Sequence, residues 1–273
     1  MPLYIVSTPI GNLSDLSARA LDTLRSAALV LAEDTRHTRH LLQHFGITTP
    51  LQSVHEHNEA RVSPALVERL CAGETFALVS DAGTPLLSDP GARLVRAAID
   101  AGVPVLAVPG ASALLAALVV SGIGAERFTF EGFLPRRGSA RAAALRAVVE
   151  SPITVVLYEA PGRVAGTLAE LAAAGAAERQ AAVARELTKQ FEETRRGTVA
   201  ELAEYYANGP PRGEVVVVIA GAPPTPLSAS EETLRERARA WRAEGMTPRD
   251  VARRLAGEMN APRNVAYRLA HEE

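Results

Sequence analysis

Cysteine and lysine are almost absent from the 273-residue sequence, which contains one of each. The single cysteine, Cys71, excludes an intrachain disulfide and is consistent with a reducing compartment. The sequence also lacks an apolar run of about 18 residues, the minimum for a membrane span, and Met1–Ser7 lacks the charged start of a signal peptide. We therefore expect a cytoplasmic protein without a membrane partner.

Neither sign of charge is in excess, because 29 basic residues face 31 acidic ones and leave a net charge of −2. This balance excludes a protein that coats nucleic acid by bulk electrostatics, but it allows a local basic patch. The hydrophobic fraction of 47% and the charged fraction of 22% exclude wholesale disorder. A chain of 273 residues exceeds the size at which one core usually stops growing, so we expect two lobes.

Short β-branched runs alternate with helical patterns, which is typical of βαβ units and a mostly parallel sheet. The predicted strands are Tyr4–Ser7, Phe76–Ser80, Val103–Val108, Phe128–Phe133, Thr154–Tyr158, Ala181–Arg185 and Val215–Ala220. The predicted helices are Ser17–Leu31, Ala140–Glu150, Gly162–Ala174, Thr198–Ala207, 247–258 and 262–270. A connecting helix at Ala113–Val120 would divide two α/β lobes at 1–113 and 114–223, and a Pro-rich linker at 221–226 would precede a small all-helical domain at 230–273.

Three predicted strands end in turns that are rich in glycine, proline and serine, namely Ser7–Leu13, Ser80–Gly91 and Pro109–Ala113. Ligands of open α/β sheets bind at the carboxyl ends of strands, where such turns allow close approach. Neither the G-x-G-x-x-G fingerprint nor the G-x-x-x-x-G-K-[ST] phosphate loop is present. The turns therefore predict a ligand site that is not one of the usual nucleotide sites.

Several long motifs, which extend over nearly the whole chain to about residue 221, have the pattern of one family. They are Ser7–Leu13, Glu33–Arg36, Ser80–Gly91, Val108–Ala113, Gly132–Arg136, Tyr158–Arg163 and Arg185–Lys189. On these motifs the sequence resembles the tetrapyrrole methylase superfamily, and within it the branch that methylates a ribose 2′-hydroxyl in ribosomal RNA. The resemblance implies an α/β fold of two lobes, S-adenosylmethionine in the cleft between them, and a homodimer.

The resemblance also implies a substrate and a set of cofactor residues. The substrate would be a cytidine in the decoding centre of 16S rRNA in the small ribosomal subunit, with no DNA partner. The superfamily's glycine-aspartate-proline motif matches Gly83-Thr84-Pro85, so threonine stands in place of the acidic residue. The expected cofactor-binding residues are Pro9, Asp81, Gly83, Thr84, Leu87, Gly110, Ser112, Ala113, Tyr158 and Glu159. S-adenosylmethionine has no phosphate, so turns of small residues suit it better than a lysine cradle.

Methyl transfer requires positioning of the ribose hydroxyl and removal of its proton. The candidates are Glu33, Asp34, Arg36 and Lys189. The first three follow the apolar segment Leu29–Ala32, which would place them at a strand end. A lysine, unlike an arginine, can have a depressed pKa. The sequence does not choose the proton acceptor, and a solvated turn and an ordinary surface lysine are the alternatives.

Arg136, Arg137 and Arg163 are expected to bind RNA, because arginine binds phosphates bidentately and stacks on bases. Ordinary surface arginines are the alternative. His37, His40 and His44 have the spacing of one helical face. No His-Glu-x-x-His motif or cysteine cluster accompanies these histidines, so we expect an RNA-facing or solvated surface and no metal.

Two other functions fit parts of the sequence. A tetrapyrrole C-methyltransferase would have the same fold, since fold does not fix function. Glu33–Arg36 and the variant turn Ser80–Gly91 weigh against it. A regulator could read DNA with the helices predicted at 247–258 and 262–270, but the near-neutral charge disfavours this function.

Overall fold

The computed structural model describes residues 1–223 and 229–272, and the chain divides into two compact units, 1–221 and 222–273. Part of the predicted linker at 221–226, and the last residue of the predicted helical domain, lie outside the described residues. Within the described ranges, no helix is long and apolar enough to cross a membrane.

The first sheet of unit 1–221 has five parallel strands in the order β3-β2-β4-β1-β5. The strands are β1 (Leu3–Val6), β2 (Leu29–Ala32), β3 (Leu51–Ser53), β4 (Phe76–Val79) and β5 (Val105–Val108). The connecting helices are α1 (Ala18–Ser26), α2 (Thr35–His44), α3 (Glu59–Cys71) and α4 (Ala92–Asp100). Cys71, the last residue of α3, is exposed.

Both faces of this sheet are buried. Ala77 and Val79 of β4 pack into one core, while Phe76 and Leu78 pack into another on the opposite face. Such a sheet needs apolar residues on both faces, which is why its strands are continuous apolar runs. Because β1 lies between β4 and β5, the turns that follow these three strands meet at the carboxyl edge of the sheet.

The second sheet, in the order β6-β7-β10-β8-β9, belongs to the same unit. Its strands are β6 (Phe128–Phe133), β7 (Thr154–Glu159), β8 (Gln180–Arg185), β9 (Glu193–Thr198) and β10 (Val215–Ile219). Its helices are α5 (Ala113–Ser121), α6 (Gly138–Glu150), α7 (Val164–Leu171) and α8 (Val199–Ala207). Only β6 and β7 pair in parallel, so this sheet is not mostly parallel as expected. The short connection 186–192 accounts for one antiparallel pair, because it is too short for a crossover.

Helix α5 joins the two lobes. Leu114 and Leu118 pack against Val156 and Val216 of the second sheet, and Ile10 from the turn after β1 enters the same core. Leu115 and Val119 of α5 are instead 50% and 73% exposed. The helix is apolar at almost every position, although only one of its faces packs on the second sheet.

Two predicted helices end earlier than expected. The segment Ser17–Leu31 divides into α1 and β2, because Leu29–Ala32 is buried inside the sheet. The segment Gly162–Ala174 begins with a short turn at Pro161–Arg163, and α7 gives way at Leu171 to a wider π-turn.

The C-terminal unit has three described helices around its own core. They are α9 (Glu231–Ala243), α10 (Pro248–Glu258) and α11 (Arg263–His271). Trp241, Val251, Leu255 and Leu269 are buried in this core. Thr247 caps α10 and Pro248 occupies its first turn, where a missing N–H has no cost. The predicted α/β fold with two lobes and an all-helical C-terminal part is confirmed.

Candidate active site

A cavity of about 380 Å³, the cleft cavity, lies between the two lobes at the carboxyl edge of the first sheet. Seven of the ten expected cofactor residues line it, namely Gly83, Thr84, Leu87, Ser112, Ala113, Tyr158 and Glu159. Pro9 and Asp81 line a neighbouring cavity instead. Gly110 lines none of the cavities described here; a Cβ on it would lie 2.9 Å from the Cβ of Ser7, so it allows two turns to pack closely.

Hydrogen bonds hold the three turns of the first lobe together. Thr8 and Gly83 exchange backbone hydrogen bonds of 2.8 and 3.1 Å. The Thr84 hydroxyl lies 3.1 Å from that of Ser7 and donates to the Ala111 carbonyl at 3.2 Å. The residue that stands in place of the family's aspartate therefore connects the turns after β1, β4 and β5.

The turn Ser80–Gly91 has an unusual backbone. Gly83 and Gly91 have φ angles of 82° and 120°, and Leu86 and Ser88 have φ angles of 75° and 73°. A branched or bulky residue rarely adopts the left-handed region, and such strain is concentrated at functional sites. Gly83 and Ser88, two of these four residues, line the cleft cavity, so the unusual backbone shapes part of its wall.

Tyr158 and Glu159 form the wall on the second lobe. The Tyr158 ring packs against Phe130 and Phe133, with centroids 4.8 and 5.6 Å away. The buried Glu159 carboxylate accepts the Ala160 amide at 2.9 Å and the Thr167 hydroxyl at 2.6 Å. Glu159 therefore holds the protein backbone as well as lining the cavity.

The three arginines expected to bind RNA differ in their surroundings. Arg163 lies 3.3 Å from Glu159 and donates to the Leu134 carbonyl at 3.1 Å, so it supports the loop after β6. Arg136 and Arg137 are in that loop and are exposed. The structure thus places the two exposed guanidinium groups on a loop that Arg163 and Glu159 hold in place.

Carboxylates are the charged groups of the cleft cavity. Asp89, Glu159 and Glu214 line it, and none of its described lining residues is a lysine or an arginine. Burial, the Glu33 charge and, to a smaller extent, the Asp81 charge raise the pKa of Asp89 to about 6, although a Ser80 hydrogen bond acts in the opposite direction. The sequence analysis singles out the turn Ser80–Gly91 but does not include Asp89 among the expected site residues.

The candidates for proton handling do not form one cluster. Asp34 caps α2, and its carboxylate accepts the Arg36 amide at 2.8 Å and lies 2.7 Å from the Arg36 guanidinium. The hydrogen bonds from Arg36 hold the pKa of Asp34 well below its usual range. Glu33 lines a shallow groove with these two residues, and burial and the Asp81 charge raise its pKa.

Lys189 lies on the other lobe, where its ammonium is 2.9 Å from Glu186 Oε1 and 3.2 Å from Glu214 Oε2. Burial lowers the pKa of Lys189, but the two carboxylates outweigh burial and the pKa is raised. A depressed lysine pKa is therefore not found. The side chain crosses Gly11, where a Cβ would clash with Lys189 Cγ and force the lysine side chain to shift.

A second cavity of about 290 Å³, the side cavity, adjoins the cleft cavity. Both are lined by Ile10, Ala82 and Glu214, residues that were absent from the sequence-based set. The side cavity is also lined by Pro9, Asp81, Lys189, His37 and His40. It brings together residues that the sequence predicts for cofactor binding, for catalysis and for an RNA-facing or solvated surface.

Metal ligands do not cluster in the part of the chain that the structure describes, where no group of three or more His, Cys, Asp or Glu side chains could hold an ion. His37 and His40 lie on one face of α2 and line the side cavity, whereas His44 does not line it.

Comparison with known proteins gives a consistent result. The sequence matches the family described as tetrapyrrole (corrin/porphyrin) methylases over residues 2–203. It is 47% identical over 246 residues to a Synechocystis sp. protein named ribosomal RNA small subunit methyltransferase I, covering 90% of this chain and 88% of that protein. A Pseudomonas aeruginosa protein of the same name is 51% identical over 237 residues, which cover 85% of this chain and 84% of that protein.

The fold has relatives among solved structures. Uroporphyrin-III C-methyl transferase from Thermus thermophilus, complexed with S-adenyl homocysteine, has a TM-score of 0.55 and 21% sequence identity. The similarity covers 81% of this chain and 97% of that one. At 21% sequence identity, this similarity shows that the two proteins share a fold.

Proposed function

The chain belongs to the tetrapyrrole methylase family and, within it, to the ribosomal RNA small subunit methyltransferase I group, and from this premise we propose its substrate and mechanism. It is an S-adenosylmethionine-dependent methyltransferase of ribosomal RNA. The proposed acceptor is the ribose 2′-hydroxyl of a cytidine in the decoding centre of 16S rRNA. The proposed place of action is the cytoplasm, where small ribosomal subunits are available.

The wall of the cleft cavity is the observation that supports this proposal best. S-adenosylmethionine supplies an electrophilic methyl group on a sulfonium cation and has no phosphate. The cavity is lined by Asp89, Glu159 and Glu214, and its described walls contain no basic side chain. Such a wall favours a cation and disfavours the phosphates of a nucleotide cofactor.

Seven residues of this wall are proposed to contact the cofactor, namely Gly83, Thr84, Leu87, Ser112, Ala113, Tyr158 and Glu159. The small side chains at Gly83 and Ala113 leave backbone groups accessible, and Tyr158 offers an aromatic face. Pro9, Asp81 and Gly110 are proposed to act indirectly, by shaping the adjoining turns.

Asp89 is the proposed proton acceptor, because it lines the cleft cavity and is the wall residue whose pKa is raised towards neutrality. Glu33 assists through its charge. Lys189 and the Asp34–Arg36 pair are proposed to position the ribose and its flanking phosphate groups.

Single-turnover methyl transfer by Glu33→Ala, Asp34→Ala and Lys189→Ala should fall, and near-normal transfer by all three would remove them from the mechanism.

Arg136 and Arg137 are proposed to bind RNA phosphates at the rim of the second lobe, with Arg163 holding their loop in place. A homodimer is proposed as the active form. The exposed apolar side chains Leu115 and Val119 on α5 support it, because adjacent large apolar residues on a surface mark an interface.

One experiment tests the proposed function directly. Purified protein is incubated with labelled S-adenosylmethionine and small subunits that lack the modification, and the labelled nucleotide is mapped. A 2′-O-methylated cytidine in the decoding centre is the expected product. Turnover of a uroporphyrinogen or precorrin with no labelling of subunits would contradict the proposal.

A further inference from the structure

The side cavity adjoins the cofactor site, but none of the seven residues proposed to contact the cofactor lines it. Ile10, Ala82 and Glu214 line both cavities. A molecule in the side cavity would therefore share these three wall residues with the occupant of the cleft cavity. This is the position that a methyl acceptor must occupy.

The walls of the side cavity combine flat rings, apolar surface and hydrogen-bonding groups. His37 and His40 are three residues apart on α2, so both imidazoles face the cavity, and both are exposed at its mouth. Leu13 and Leu41 add apolar surface. Lys189 forms the wall of the side cavity on the second lobe. Its side chain crosses Gly11 and is held in place by its ion pairs.

Asp81 is fixed within this wall. Its Oδ1 atom accepts the Asp34 amide at 3.1 Å, which sets the orientation of the carboxylate. Among the described residues, the Oδ2 atom accepts no hydrogen bond, so it is available to a ligand. A carboxylate accepts from an amino group such as the cytosine N4 group and repels the carbonyl oxygen that uracil has at the same position.

We infer that the side cavity holds the target nucleotide, drawn out of the RNA strand, with its base against His37 and His40 and the cytosine amino group on Asp81. The inference rests on the proposed function and adds a base-selecting site to it. Single-stranded RNA is recognised through unstacked bases that lie on aromatic side chains and are hydrogen-bonded along their edges, and a cavity with two imidazoles and a free carboxylate oxygen suits such a base.

Histidine substitutions test the cavity. His37→Ala and His40→Ala should each lower kcat/KM for unmodified small subunits about tenfold or more, because a stacking surface is lost. His44→Ala is the matched control, since it is on the same helix and lines neither cavity. Affinity for S-adenosylhomocysteine should be unchanged in all three variants, which also establishes that they are folded. Equal kcat/KM for the His37, His40 and His44 variants would overturn the inference.

Asp81→Asn tests base selection. Subunits reconstituted with cytidine or uridine at the target position are compared as substrates. The wild-type protein should prefer cytidine, and the asparagine variant should lose about tenfold of that preference, because an amide also donates to uracil O4. An unchanged preference would overturn the role of Asp81. A wild-type protein that labels no subunits contradicts the proposed function itself, whereas an active protein with indifferent variants contradicts only the cavity assignment.

Discussion

Asp89 illustrates how the surroundings of a carboxyl group raise its pKa towards neutrality. The carboxyl group is partly buried in the cleft cavity, and the charges of Glu33 and Asp81 disfavour a further negative charge nearby. Its pKa of about 6 lies above the usual value, so the group exchanges its proton just below neutral pH. A proton acceptor is most effective when its pKa lies near the operating pH.

The single-turnover rate of methyl transfer should therefore rise with pH through about 6. Below this pH Asp89 is protonated and cannot accept the hydroxyl proton, and above it the carboxylate is free to do so. Asp89→Asn should slow the reaction about 100-fold or more and remove this rise. Asp100→Asn, on the exposed end of α4, should retain the wild-type profile. The same pH dependence in Asp89→Asn would assign the rise to another group.

The sequence singles out Lys189 as a candidate site residue, but it does not predict that the pKa of Lys189 is raised. A lone lysine in a family motif was enough to single it out. Its raised pKa depends on Glu186, three residues away, and on Glu214, which is 25 residues away and reaches the lysine only when β10 pairs with β8. Sequence reasoning missed Ile10 and Glu214 as lining residues for the same reason, since tertiary packing places them.

Among the elements, α4 depends on a carboxylate from its neighbour. Gly91 precedes α4 and has no side chain with which to cap it. The buried Glu59 of α3 replaces this cap, because its Oε1 accepts the amides of Arg93 and Leu94 at 2.7 and 3.0 Å. The end of the strained turn Ser80–Gly91 is thus anchored from outside the turn.

Glu59→Ala should lower the free energy of unfolding by about 1–3 kcal/mol, since the buried Leu94 amide and the partly buried Arg93 amide lose their acceptor. It should also weaken S-adenosylhomocysteine binding, because the turn that it anchors lines the cleft cavity. Urea denaturation and calorimetry measure the two effects. Glu68→Ala, on an exposed position of the same helix, serves as the control. Equal stability of the two variants would show that the amides find another acceptor.

The seven predicted strands agree with strands of the structure to within two residues at either end. Phe128–Phe133 agrees with β6, and Phe76–Ser80 differs from β4 by one residue. Strands β2, β3 and β9 are not among the predicted strands, and β2 overlaps the end of the helix predicted at Ser17–Leu31. Strand β9, with the sequence ETRRGT, is a polar edge strand whose position comes from pairing with β8, so it has no apolar alternation to detect.

At the scale of the whole molecule, the balanced net charge conceals a local asymmetry. Arg136 and Arg137 are exposed beside a cavity with acidic walls. Negative walls favour a sulfonium, whereas the exposed guanidinium groups favour phosphates. The net charge of −2 therefore gives no indication that the substrate is ribosomal RNA.

Arg136→Glu combined with Arg137→Glu should weaken binding to small subunits and reduce its salt dependence by about one unit of log–log slope for each lost phosphate contact. S-adenosylhomocysteine affinity should not change. Arg96→Glu on α4 controls for a general change of charge. If the double variant binds subunits as the Arg96 variant does, the loop is not part of the RNA footprint.

The quaternary state should depend on the exposed face of α5. Val119→Arg places a charge on an apolar surface and should convert the proposed dimer to a monomer in light scattering, because a buried unpaired charge is costly. Ile99→Arg is the control, as Ile99 is an exposed apolar residue of another helix. A dimer in both variants would place the interface elsewhere.

The thiol at the end of α3 has a practical consequence. Cys71 is exposed, is the only cysteine of the chain, and lines neither the cleft cavity nor the side cavity. A maleimide dye will therefore label the natural sequence at one known position without blocking either site. Fluorescence anisotropy of that dye will report the arrival of a ribosomal subunit, because the labelled protein tumbles far more slowly once it is bound.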